Sequence, residues 1–495
     1  MNIKLKTKNL KLKTAFNGGQ GGQILIQALV LSALAVVFIA VLINLALYSI
    51  NSTFRAYNSE QAFQVAEAGI EYYRWHLAHD PTDYTNGTGQ PGPYTLPYYD
   101  KDGEQIGEIE LSVEPLSGTT IVTLTSTGRL YSDASVSRTI QAKLGISSFA
   151  KFAVAANDTM RFGEGTEVFG PIHSNGGIRF DGIAHNIITS AVASYNDPDH
   201  SGQYDFGVHT HVDPADPLPP SPVPNRPDVF MAGRDFPVPA IDFTGIAADL
   251  AQIKTDAQTN GAYYPDSGTH GYEIVFHPDD TYTISKATDL KRKPNGCSDQ
   301  ISDNDWGIWS INATTSVGTY PMPNNGLIFV EDFLWVSGQI DGQRITVASA
   351  KFPENPGTQT SINVNHDLLY TNYDGTDVIG LIAQNDINVG LYSEDDLRID
   401  GAIIAKNGRV GRYYYKAPSG NQNYCGEEAY RDTITLYGMI GTNERYGFSW
   451  SCGGIYCSGY ANRNLIYDAN LLFGPPPGFP LTSDEYETIS WEEIH

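Results

Sequence analysis

Four cysteines, a run of aspartates and histidines, and one acidic cluster are the residues here whose types and spacing suit chemistry. The cysteines are Cys297, Cys425, Cys452 and Cys457. An even count outside the cytoplasm favours disulfides. Cys452 and Cys457 are near enough to close a local loop, which leaves Cys297 to pair with Cys425; the other pairings stay open. A four-thiolate zinc site has the right ligand number but lacks a C-x-x-C pair.

Asp197, Asp199, Ser201 and Asp205 place oxygen ligands at the first, third, fifth and ninth positions of a loop, with Gly202 at the sixth. That is the opening of a calcium loop. The bidentate glutamate that would complete it is missing, because Val208 stands there. An ordinary Asp- and Gly-rich loop is the competing reading. His200, His209, His211 and Asp213 form a second set, suited to a transition metal: His209-Thr210-His211 puts both rings on one face of an extended strand. Apart from calcium at the first set, no cofactor is expected.

Glu394, Asp395, Asp396 and Asp400, with Arg398 and Arg409 near, match the carboxylates and bases of a polysaccharide-cleaving groove. In an acidic chain such a run is equally a solvated face. The sequence has no nucleophile elbow, phosphate loop, dinucleotide fingerprint or HExxH helix. No catalytic residue is therefore assigned, and the chain is not read as an enzyme. Tyr413-Tyr414-Tyr415 suits either a contact patch for carbohydrate or protein, or packing between strands.

The elements that must carry these residues begin with an unusual amino terminus. Lys4, Lys6, Lys8, Lys11 and Lys13 precede residues 14–54, which hold no charge. Ile24 to Leu47 is long enough to cross a hydrocarbon core of ~30 Å at ~1.5 Å per residue. It is too long for the apolar part of a cleaved secretory signal. The lysines should stay cytoplasmic, placing the rest outside. Beyond it, Ala62, Ala66, Gly69, Ile70, Tyr73 and Leu77 form an apolar stripe of helical period, and Asp80-Pro81 stops it. Residues 24–79 thus read as one helix about 84 Å long, lipid-bound in its first half and packed on protein in its second.

The remainder of the chain is acidic. Of 495 residues, 41% are hydrophobic and 18% charged, so a sizeable core can form. The net charge is −25; with the leader lysines set aside, 26 basic residues face 56 acidic ones. That balance argues against nucleic acid as a partner.

Gly22-Gln23-Ile24-Leu25-Ile26-Gln27-Ala28-Leu29, the apolar helix, and Ala62-Phe63-Gln64-Val65-Ala66-Glu67-Ala68-Gly69-Ile70 together resemble the amino-terminal region of PilX-type minor pilins, over about residues 15–80. The resemblance implies that a prepilin peptidase cuts between Gly22 and Gln23 and methylates Gln23. It implies assembly with other pilin subunits through the apolar helix, with Gln27 and Glu67 as assembly residues. Major pilins carry Glu at the fifth mature position, where its carboxylate neutralises a neighbour's terminal amine. Gln27 occupies that place here and cannot do so, which implies a minor, tip-proximal subunit. A membrane anchor that is never cut or polymerised is the alternative.

Downstream, Tyr94–Tyr99, Gln105–Val113, Thr120–Ser126 and Ser137–Leu144 alternate as antiparallel strands, the last as an edge, with a hairpin turn at Asp100-Lys101-Asp102-Gly103. After Ser148 a pattern recurs. Val154-Ala155-Ala156-Asn157 resembles Ile382-Ala383-Gln384-Asn385, Ile404-Ala405-Lys406-Asn407 and Ile440-Gly441-Thr442-Asn443. Small residues let strands stack closely, and Asn suits a left-handed corner. The expected fold is mainly β: a long membrane-spanning helix, a pilin-like α/β head, and a right-handed parallel β-solenoid bearing an inserted lobe. An antiparallel sandwich is the competing architecture. The expected divisions are a leader at 1–22, the helix at 23–80, the small sheet at 81–148, the solenoid at 149–195 and 326–470, the lobe at 196–325, and a tail at 471–495. Within the lobe, Phe243, Ile246, Leu250 and Ile253 mark a helix over Asp242–Thr259, and Tyr272–Phe276 with Tyr282–Ser285 a hairpin. The expected function is that of a structural, tip-located or priming fibre subunit presenting its β-domain for adhesion. The alternatives are an uncleaved bitopic surface protein and a solenoid polysaccharide enzyme.

Overall fold

The computed structural model describes residues 21–198, 202, 204–243, 246–297, 309–452, 455–482 and 485–494. The chain is mainly β, with one long amino-terminal apolar helix and many parallel strands.

Helix α1 (Gly21–His79) has two unlike halves. Eighteen large hydrophobic side chains from Ile24 to Ile50 are at least half exposed. Ala62, Val65, Ala66, Ile70, Tyr73 and Leu77 are all buried. The second half lies on an antiparallel sheet of β1 (Tyr94–Tyr99), β2 (Gln105–Pro115), β3 (Val122–Leu130) and β4 (Ser137–Gly145). Burial alternates along all of β3, so Val122, Leu124, Ser126, Gly128 and Leu130 face the helix.

Two glycines set how closely helix and sheet approach. A Cβ on Gly128 would sit 2.1 Å from the Ala62 carbonyl oxygen and 2.5 Å from the Ala66 nitrogen. A Cβ on Gly69 would sit 2.3 Å from Ser126 Oγ. The helix backbone therefore rests directly on β3. Glycine in a helix costs about 1 kcal/mol relative to alanine; here close contact with Ile109 and Ser126 requires it.

The sheet does not close within residues 81–148 as expected. The strand Glu487–Ile494 pairs antiparallel with β4 and makes a fifth strand. Glu487–Ile494 is thus the outer strand beside β4, not part of a tail, and β4 is interior. An open edge on β4 would leave backbone groups unpaired. Arg138 on β4 holds the strand by donating to Glu493, and also to Ser59 Oγ on α1 at 2.7 Å. Trp491 packs edge-on against Phe63 of the helix at 5.7 Å.

The larger part of the chain stacks strands in parallel. In one ladder, Ile328, Val347, Leu381, Ile403, Ile440, Val154, Ile172, Ile188 and Arg234 pair in succession. A second stack joins Ile362–Asn363, Ile387–Val389 and Val410–Arg412. A third runs from Leu368–Tyr370 through Asp396–Ala405 and Tyr430–Thr442 to Ile455–Tyr467 and Glu167–Val168. Their inward apolar side chains form one continuous core.

Order along the ladder differs from order along the chain. Val154 enters in the middle, beside Ile440, and the strands grow outward to Arg234. The chain then restarts at the far end with Ala262–Tyr264 and works back to Thr442. Residues 262–276 are therefore the ladder's end strands, not part of a separate lobe: Ala262–Tyr264 pair with Ile328–Val330, and Tyr272–Phe276 with Leu334–Gly338, both parallel. Helix α2 (Ile246–Asn260) covers the outside, burying Leu250, Ile253 and Ala257 with Leu327, Phe329 and Ala348. The side chain of Ile246 lies outside the described residues.

The repeats stack one residue out of the expected alignment in one place. Ile382 pairs with Ile404 as read, but Ile404 pairs with Gly441 and Ile403 with Ile440. The asparagines also act differently. Asn157, Asn385, Asn407 and Asn443 are absent from the left-handed residues. Two of them, Asn157 and Asn443, hold a corner through side chains: Asn175 donates to Asn157 at 2.7 Å, Asn157 to Asn443 at 2.9 Å, and Asn443 to the Asn407 backbone carbonyl at 3.0 Å.

Replacing Gly128 with Ala should lower stability by about 1–3 kcal/mol, because backbone atoms cannot yield to the new methyl group. Gly163→Ala, where nothing lies within 4 Å of the added carbon, should be near neutral. Urea-unfolding midpoints of the full chain in detergent check both.

Candidate functional site

Gly22 and Gln23 lie in the first turn of α1, and Gln27 about one turn on. The apolar half of the helix keeps its polar groups to itself. Ser32 Oγ donates to the Leu29 carbonyl at 2.9 Å, and Asn44 Nδ2 to the Ala40 carbonyl at 3.0 Å. That is how hydroxyls and amides survive in a medium without water. Fully burying one large apolar side chain is worth about 1.5–3 kcal/mol. Eighteen bare ones from Ile24 to Ile50 thus demand cover by lipid or other apolar helices. Glu67 is exposed, on the side of α1 away from the sheet. The helix is long and apolar enough to cross a membrane, and none of its most apolar stretch is buried.

The structure joins Cys297 to Cys425, and Cys452 to Cys457. The first bridge ties residues 128 apart and sits in a small core with Leu391, Tyr415, Ala417 and Ala429. The second closes a hairpin at the surface.

The aspartates and histidines meet in a combination that neither expected set contained. Asp197, Asp205, His209 and His211 each bring a ligand atom within 4.8 Å of the others. Asp199, His200 and Ser201 lie outside the described residues. The antiparallel strands Ser194–Asn196 and Tyr204–Phe206 pair Tyr195 with Asp205, so Tyr195, Asp205 and Asp197 share one face. His209 ends the stack Met160–Phe162, Ile178–Phe180, Val208–His209. The Asp197 carboxylate is 3.6 Å from His209 Nε2 and 3.7 Å from Arg179 Nη1. Burial and the neighbouring Asp197 and Asp205 charges push the Tyr195 hydroxyl well above its usual range.

The acidic run does not line a groove as a unit. Asp400 is fully buried and accepts from the Tyr370 N–H at 3.0 Å, the Tyr373 hydroxyl at 2.7 Å and Arg398 Nε at 2.8 Å. Glu394 pairs with His366 at the surface. Burial pushes the Asp400 carboxyl up from 3.8 despite Arg398, and does the same to Asp468 and Asp367. It also pushes Tyr373 and Tyr437 up to about 12.

The tyrosine run is not one patch. Tyr413 donates to Asp386 at 2.8 Å, while Tyr415 is buried beneath the guanidinium of Arg412. Sequence reading missed Arg412, which is fully buried and donates to Ser393 Oγ and to the carbonyls of Gly390, Leu391 and Glu428. Desolvation pulls it down to about 10. Its position directly before the tyrosines was the one available signal.

No protein-family model matches the chain, and no curated protein matches it. Among solved structures it is similar to the crystal structure of the competence-associated pilin ComZ from Thermus thermophilus, at 14% sequence identity and a TM-score of 0.30. The match covers 88% of this chain and 97% of that one. Likeness at that level fixes neither fold nor function.

Asp400, Asp468 and Asp367 give stability a pH dependence. With pKa values raised by burial, the folded chain keeps protons that the unfolded chain releases. Their contribution is fully present below the unfolded value and is lost as pH rises through the folded values. Asp400→Asn removes one such titration. Between about pH 4 and about pH 7 the stability difference should move in the variant's favour as pH rises. Urea unfolding of both proteins across that range checks it; a constant difference contradicts it.

Proposed function

We propose that the chain is a minor, pilin-like structural subunit of a type IV pilus-like fibre, tip-located or priming, and not an enzyme. One observation carries this reading: a single helix is clamped to a small sheet over its second half and left bare and apolar over its first. A subunit made that way can wait in lipid and then exchange lipid for the helices of other subunits. The PilX-type resemblance at residues 15–80 covers both halves of that helix, and its Ala62, Ala66 and Gly69 are the residues at the sheet contact.

On this reading the lysine-rich leader is cytoplasmic and the head and ladders lie outside. A prepilin peptidase cuts between Gly22 and Gln23. Gln27 takes the place where major pilins carry a charge-neutralising glutamate. It cannot neutralise an amine, which suits a subunit with none above it; Glu67 faces neighbours along the fibre. The three parallel stacks support reading this part as a right-handed β-solenoid, and on this reading it is the surface presented for adhesion.

A bitopic membrane protein that keeps its leader is the second reading. It is favoured by Gln23, since the peptidase of this pathway usually meets Phe or Met there.

The mature amino terminus, measured by mass spectrometry on protein from its native membrane, separates the two. The fibre reading predicts a start at Gln23, heavier by about one methyl group. An intact Met1 with its lysines would overturn it.

A further inference from the structure

We infer that Asp197, Asp205, His209 and His211 form a structural zinc site that fastens the paired strands Ser194–Asn196 and Tyr204–Phe206 to the end of the parallel stack. Their four ligand atoms lie within 4.8 Å of one another. His209 supplies an independent sign. It is 1% exposed, and among the described residues neither of its ring nitrogens makes a hydrogen bond. A buried polar group without a partner costs about 1–3 kcal/mol, and imidazole is the commonest protein ligand for metal.

The donor set selects the ion. Two imidazoles and two carboxylates match the nitrogen and oxygen ligands of tetrahedral Zn²⁺. Calcium and magnesium take oxygen ligands and leave imidazoles unused. Four protein ligands leave no open position for a substrate, so the site is structural.

The surroundings hold the ligands in place. Asp181 Oδ1 accepts the His211 backbone N–H at 2.8 Å while its other oxygen accepts from Arg179 Nε at 2.7 Å. Asp181 is thereby a positioning residue, tying His211 to the strand Ile178–Phe180. The Tyr195 ring lies 5.5 Å from that of His209, and a Cβ on Gly177 would strike Tyr195 at 2.0 Å. The strand pair is thus pressed onto the stack with its ligand face inward. Gly202, at φ 95°, provides a left-handed turn between Asp197 and Asp205.

Arg179 and His209 against Asp197, at 3.7 and 3.6 Å with no ion between them, are the competing arrangement, and the two separate experimentally. The full chain, without a histidine tag, is purified in detergent and assayed for bound metal. It is then stripped with chelator and titrated with Co²⁺. The zinc site predicts about one zinc per chain and a visible tetrahedral Co²⁺ spectrum that Zn²⁺ abolishes. His209→Gln should lose both, Asp181→Asn should weaken Co²⁺ binding about 10- to 100-fold, and His185→Gln should change neither. The wild-type spectrum decides even if a variant fails to fold. Wild-type protein with no bound zinc and no Co²⁺ spectrum, or one that binds calcium alone, overturns the inference.

Discussion

The backbone contact between α1 and β3 is the constraint on which the rest of this molecule depends. With Gly128 beneath Ala62 and Ala66, and Gly69 above Ser126, there is no room for a side chain at either glycine. The helix can neither slide nor roll without a clash, so its register on the sheet is fixed. That register puts Val65, Ile70, Tyr73 and Leu77 into the head's core. It also fixes where the head ends and the bare half of the helix begins.

The ladders hang from this head through a short set of bonds. The Thr120 N–H donates to the Phe473 carbonyl at 2.8 Å, and Ser148 binds the carbonyls of Leu471 and Leu472. Arg344 reaches from the ladder to the carbonyls of Gly474 and Pro475, both at 2.8 Å. The chain leaves the head at Ser148, runs through every strand of the ladders, and returns at Leu472 to supply the head's fifth strand. Both parts share one closed path, and Ile440 meets Val154 only after most of that path is made. Such non-local pairing suits a rigid final structure more than fast folding.

Much of this was legible in the sequence wherever a local period decided it. The 3.6-residue stripe from Ala62 to Leu77 gave the helix face, the Asp100–Gly103 turn pointed to β1 and β2, and alternation pointed to β3 and β4. The repeated Ile-Ala-x-Asn pattern pointed to stacked parallel strands. What stayed hidden depended on partners distant in sequence. Glu487–Ile494 has no local sign of joining β4, because its partner lies more than three hundred residues earlier. Ladder order is invisible for the same reason: similar repeats do not say which copy stacks on which. The Asp and His residues of the candidate metal site stood out, but as two competing sets. Only the pairing of Tyr195 with Asp205 brings Asp197 and Asp205 onto the side where His209 and His211 wait.

The central claim is that the bare half of α1 ends up against the helices of other subunits. A photo-crosslinking residue in place of Phe38, which is 70% exposed, tests it most directly in cells carrying the native assembly machinery. The account predicts adducts with another helical subunit once fibres assemble, and lipid adducts before. Lipid adducts alone in both states would contradict it.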